Sequence, residues 1–118
     1  MAQHGLAFHL SVHSFTDRFQ GQVRGNDFGL LYESWWPLER PLADRLDKRL
    51  KEHGYSVRRN FPYSGRDDGF CMRMRRERKE RTYIGMEIEL NQRLCRSPEG
   101  AKAMARALAD ALAPEFGA

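Results

Sequence analysis

The chain has 118 residues, of which 41% are hydrophobic and 31% charged, with a net charge of +4 at neutral pH. That length and balance suit one compact globular domain and exclude a disordered tail. No apolar run approaches the ~20 residues that span a bilayer, and Met1-Ala2-Gln3-His4-Gly5 carries no basic-then-apolar leader pattern, so a cytoplasmic location is the expectation.

Leu6–Val12 alternates apolar and polar residues among good strand formers and predicts a strand ending at His13-Ser14. A polar stretch with Gly21, Gly25 and Asn26 reads as a loop, and Phe28-Gly29-Leu30-Leu31-Tyr32 as a short buried strand. Leu38, Leu42, Leu46 and Leu50 recur every fourth residue, the stripe of an amphipathic helix. Pro41 falls in its first turn and Gly54 just past its end, the positions where each residue type is tolerated best.

Tyr55–Arg59 predicts another strand, and the turn formers from Asn60 to Gly69 predict a loop. Residues 70–80 suit a short helix. Tyr83–Leu90 predicts a strand with Ile84, Met86, Ile88 and Leu90 on one face and Glu87 and Glu89 on the other. Ser97-Pro98-Glu99 opens a last helix, with Met104, Leu108, Ala111 and Leu112 facing inward. Strands alternating with helices predict a single α/β domain over residues 1–118, a mixed sheet with flanking helices.

Several residues have the chemistry of a site. His13, at a strand end, is either a metal ligand or a packed ring. Glu89 is either a general base beside a metal-bound water or half of a cross-strand ion pair. The loop from Asn60 to Arg66 offers an amide and a guanidinium suited to carboxylate, or is simply a turn. The basic run Arg73–Arg81 could track phosphates, but it holds two glutamates and no interleaved aromatic residue, which suits a solvated helix with i,i+4 pairs. Cys71 and Cys95 have no metal-finger spacing and are expected as free thiols. There is no phosphate-cradling glycine loop and no Gly-x-Ser-x-Gly elbow.

Three segments together resemble the N-formylglutamate amidohydrolase family. They are Val12-His13-Ser14-Phe15-Thr16, Val57-Arg58-Arg59-Asn60-Phe61-Pro62-Tyr63-Ser64-Gly65 and Met86-Glu87-Ile88-Glu89-Leu90-Asn91-Gln92-Arg93-Leu94, in the family's order and at similar spacing. The resemblance implies a fold like that of zinc carboxypeptidases and zinc-dependent hydrolysis of N-formylglutamate or a related carboxylate-bearing N-acyl amino acid. It implies His13 as a zinc ligand, Glu89 as general base and acid, and Arg24, Arg59, Asn60 and Tyr63 as substrate-binding residues.

The family places a second histidine and an acidic ligand upstream of the His-Ser-Phe-Thr segment. Only twelve residues precede His13 here and none supplies that motif. The expectation is therefore a C-terminal portion whose N-terminal part is missing, prone to self-association through an exposed sheet edge. Two other classes remain open: a catalytically incomplete remnant acting as a structural or interaction module, and a small basic nucleic-acid-binding domain.

Overall fold

A computed structural model describes residues 7–19, 21–61, 65, 69–78 and 82–117. In chain order the strands are β1 (Ala7–Phe15), β2 (Arg18–Phe19), β3 (Gln22–Val23), β4 (Phe28–Leu31), β5 (Val57–Arg59) and β6 (Tyr83–Asn91). The helices are α1 (Glu39–Glu52), α2 (Gly69–Glu77), α3 (Gln92–Cys95) and α4 (Pro98–Leu112), and a 3-10 turn closes at Ala113–Phe116.

The main sheet has the order β1-β6-β4-β5. Strand β6 runs parallel to β1 and antiparallel to β4, and β4 runs parallel to β5. This is the expected mixed sheet. Strands β2 and β3 form a separate small hairpin in the segment expected to be an irregular loop. Each has two residues, too short for alternation to register.

The core lies on one face of the sheet. Phe28 and Leu30 of β4 and Ile84, Met86 and Ile88 of β6 meet Leu42, Leu46 and Leu50 of α1 and Met104, Ala107, Leu108 and Ala111 of α4. Leu42, Leu46 and Leu50 of the predicted stripe are fully buried, while Leu38 stands just before the helix and is partly buried against the same core. Beyond the helix, the Gly54 N–H donates to the Lys51 carbonyl at 2.9 Å and the Tyr55 N–H to that of Leu50 at 3.2 Å. This double closure needs a left-handed residue, and Gly54 has φ of 91°. At the start of α4, the Gly100 N–H donates to the Ser97 hydroxyl at 2.9 Å, with Pro98 following the cap as the sequence predicts.

A buried ion pair ties the opposite face to α1 and α2. Glu39 is completely buried. Its Oε1 accepts from the Glu33 N–H at 3.0 Å and from Arg75 Nη2 at 2.7 Å. Its Oε2 accepts from Arg75 Nε at 3.0 Å and from the Gly85 N–H at 2.8 Å. Arg75 Nη2 also donates to the Gly85 carbonyl at 3.1 Å. Arg75 is thus not part of a solvated basic face, as its run suggested. Its partner stands 36 residues away in the chain, so local charge pattern carries no trace of the contact.

The C-terminal turn is clamped by charge. The Arg45 and Arg49 guanidinium groups donate to the Glu115 carboxylate at 2.7–2.9 Å. The hydrogen bond from Arg45, reinforced by Arg49 against the cost of burial, holds the Glu115 carboxyl below its ordinary value. Cys71 and Cys95 are free thiols. Among the described residues no helix is long and apolar enough to cross a membrane.

Two outcomes follow for stability. Glu39→Ala strands the Arg75 charge inside the protein and should cost about 3–5 kcal/mol in urea unfolding. The pair Glu39→Leu/Arg75→Met, which removes both charges, should lie closer to the parent than either single change. Because the Glu115 pKa is depressed on folding, its stabilisation is present above its unfolded pKa, about 4.3. It is lost as pH falls through the lower folded value. Glu115→Gln should therefore flatten the acid limb of a stability–pH profile and leave the alkaline limb unchanged.

Candidate active site

The site is built on the sheet face opposite the α1–α4 core. Residue alternation sends His9, Ser11 and His13 of β1 to that face, and in-register pairing sets them beside Gly85, Glu87 and Glu89 of β6. One transverse row then runs His13, Glu89, Gly29, Arg58 across all four strands. His13 lies inside the strand rather than at its end, because β1 continues to Phe15.

His13 Nε2 lies 3.7 Å from Glu87 Oε1, and the histidine side chain is 57% exposed. Glu89 is only 4% exposed. Its Oε2 is buried with no hydrogen-bond partner. Burial pushes the Glu89 carboxyl up to about 8, a hydrogen bond and like-charge repulsion from Glu87 add to the rise, and the nearby Arg24 guanidinium opposes it. Two carboxyls one pleat apart thus stand next to an exposed imidazole. A carboxyl that changes charge close to neutral pH can both take and give a proton there.

Arg24 is 7% exposed and is brought to Glu89 by Asn91. The Asn91 side-chain amide donates to the Arg24 carbonyl at 3.0 Å and to the Asn26 carbonyl at 2.9 Å. Its side-chain oxygen accepts from the Arg93 N–H at 3.0 Å, which caps α3. Sequence reasoning missed both α3 and this role. The signal was present: an amide at a strand end, followed by a four-residue helix, is a capping pattern.

The expected substrate residues divide. Asn60 is a hinge of the loop after β5, with φ of 52°. Its N–H donates to the Leu30 carbonyl at 2.8 Å. Its side-chain oxygen accepts from the Tyr32 and Gly65 N–H groups, each at 3.0 Å. These bonds fold the loop back over β4. Gly29 makes room for it: a Cβ there would stand 2.7 Å from the Phe61 carbonyl oxygen and 3.4 Å from the Glu89 Cβ.

Arg59 points away from this face. It pairs with Leu30 on the helix side of the sheet and is bound by Asp44 and Asp47 of α1, with Nε 2.9 Å from Asp47 Oδ2. Despite the cost of burial, the hydrogen bonds that its guanidinium makes to Tyr32, Asp44 and Asp47 raise its pKa further. Tyr63 lies outside the described residues.

The described residues do not complete a zinc site. Among them no group of three histidine, cysteine, aspartate or glutamate side chains is arranged to hold a metal ion, and a catalytic zinc takes three protein ligands. His13 supplies one exposed imidazole.

For the metal-free chain, the Glu89 carboxyl carbon should titrate near 8 by 13C NMR. Glu87→Gln should lower that value but leave it above the ordinary carboxylate range, because burial is the larger cause. An ordinary value in the parent chain would show that the carboxyl is solvated.

Comparison with known proteins places this geometry. A family profile described as N-formylglutamate amidohydrolase matches residues 1–96. The crystal structure of a gene product of Agrobacterium tumefaciens superposes with a TM-score of 0.67 at 23% identity, covering 98% of this chain and 46% of that one, a likeness of fold. The crystal structure of N-formylglutamate amidohydrolase from Ralstonia eutropha JMP134 superposes with a TM-score of 0.66 at 25% identity, covering 99% of this chain and 48% of that one. The chain therefore spans about half the length of these solved structures. No curated protein matches it. With more than half of its residues matched by the family profile, the chain belongs to the N-formylglutamate amidohydrolase family.

Proposed function

We propose that this chain carries the proton-handling part of a site that hydrolyses the formyl amide of N-formylglutamate or a related N-acyl amino acid. The observation that supports the reading is Glu89, buried, with one carboxyl oxygen unpartnered and a pKa of about 8, in one row with His13. An unsatisfied buried carboxyl oxygen is costly unless something completes it, and a water held for reaction would do so.

Hydrolysis adds water to the amide carbonyl carbon and breaks the C–N bond. The water oxygen ends in formate, and its second proton reaches the departing nitrogen to give the free amine. Glu89 accepts that proton and returns it to nitrogen. A pKa within about one unit of neutral keeps both transfers accessible. Arg24, beside Glu89, supplies positive charge for a substrate anion.

His13 is proposed as one zinc ligand, with the remaining donors coming from outside the described residues. Bound zinc would polarise a carbonyl and lower the pKa of its water. The proposed partner remains a small N-acyl amino acid.

A second reading has its own support. With one imidazole available and no three-donor group among the described residues, the chain by itself could be catalytically incomplete, a structural or interaction module. Strand β1 has nine residues and, among the described residues, pairs on one side only, with β6, which leaves a sheet edge for self-association.

Formate release from N-formylglutamate, assayed with and without added zinc sulfate, separates these readings. Under the first, formate accumulates and Glu89→Gln lowers kcat by about 10²- to 10⁴-fold with little change in KM. Undiminished turnover in Glu89→Gln would sink it. No formate with saturating zinc supports the second.

A further inference from the structure

We infer that Arg58, rather than Arg59, is the anion-binding arginine of this site, and that it takes a carboxylate of the substrate. The inference rests on the amide-hydrolase reading for the identity of the ligand. Its geometry is independent of that reading.

Adjacent residues of a strand face opposite sides of a sheet. Pairing of Leu30 with Arg59 and of Gly29 with Arg58 therefore puts these two arginines on different faces. Arg59 joins the α1 side, where Asp44 and Asp47 already neutralise it. Arg58 joins the face of Glu89 and His13, two strands from Glu89 in the same row. Strands lie about 4.8 Å apart, so the Cα atoms of Glu89 and Arg58 are roughly 10 Å apart. The Phe61 carbonyl lies over Gly29 between them, so a dicarboxylate held by Arg58 approaches Glu89 past the Phe61 segment rather than straight across the row.

Arg58 is also prepared for the role. Its guanidinium carbon lies 3.8 Å from the centroid of the Phe61 ring. Stacking on an aromatic face limits the side chain's freedom and leaves the edge of the guanidinium, with its N–H donors, available for a planar bidentate contact. The side chain is exposed, and no carboxylate among the described residues pairs with it. Phe61 is itself placed by the Asn60 hinge, and its carbonyl covers Gly29 beside Glu89. The Arg-Arg-Asn-Phe segment thus works as a unit. Arg59 anchors β5 to α1, Asn60 turns the loop, Phe61 supports Arg58, and Arg58 faces the ligand.

The test is binding, which does not require turnover. Isotope-labelled chain is titrated with N-formyl-L-glutamate and with its uncharged diamide, and affinities are taken from NMR shift changes. Arg58→Gln should weaken N-formyl-L-glutamate at least about tenfold and leave the diamide unchanged, and Arg58→Lys should restore part of the loss. Arg59→Gln should lower the melting temperature without that selective loss.

The inference is overturned if Arg58→Gln binds the dicarboxylate as the parent does, if it weakens both ligands equally, or if the parent binds neither. Glu89→Gln separates the two ideas. If it retains both affinity and turnover, the proton-handling role of Glu89 fails while the Arg58 contact stands. If it loses turnover and Arg58→Gln keeps full affinity, the reverse holds.

Discussion

Strand β6 is buried on both faces, and that constraint organises the molecule. One face is satisfied by packing alone, because Ile84, Met86 and Ile88 meet the leucines of α1 and the apolar residues of α4. The other face carries Gly85, Glu87, Glu89 and Asn91, whose polar groups lose water on folding and need defined partners. Each demand recruits a different segment. The Gly85 backbone takes Glu39 and Arg75, and Asn91 takes the Arg24–Asn26 loop. Glu87 meets His13. Glu89 retains a buried oxygen without a partner among the described residues. The candidate site is the place on this strand where burial is left incompletely compensated, and such incomplete compensation is a physical mark of function.

The two ends of the same strand face show opposite solutions to buried charge. At Gly85, Glu39 and Arg75 neutralise each other and every carboxylate oxygen accepts two hydrogen bonds. The result is rigid and electrically closed. At Glu89 the neighbour is another carboxyl, so burial and repulsion act in the same direction and the proton is retained near neutral pH. A fully satisfied pair holds structure, whereas an under-satisfied pair holds a transferable proton. The rigidity of the first supports the second, because both are hung on one continuous hydrogen-bonded strand.

Much of this was legible in local pattern. The α1 leucine stripe, the Ser97-Pro98 cap and the alternation of β6 are short-range signals, since side-chain direction follows backbone period within an element. Alternation also put Glu87 and Glu89 on a common face before any fold was known. The family resemblance rested on three segments, and the family match bears it out. The β2–β3 hairpin and α3 escaped because two- and four-residue elements are shorter than the periods that reveal them. Arg75 escaped because its partner is remote in sequence.

The amino-acid sequence by itself carried the family resemblance, the order of the longer strands and helices, the apolar faces, and the choice of His13 and Glu89 as candidate residues. Those are consequences of residue type and spacing, which act over one or two turns or pleats. Tertiary structure decided which of two adjacent arginines meets the site. Strand β5 has three residues, and its register against β4 comes from pairing, so a shift of one position would exchange Arg58 and Arg59. It also decided that Asn60 shapes a loop, that Arg75 is interior, and that Glu89 keeps its proton. Burial and charge neighbourhood are properties of the assembled chain, set by segments that meet only when the sheet closes.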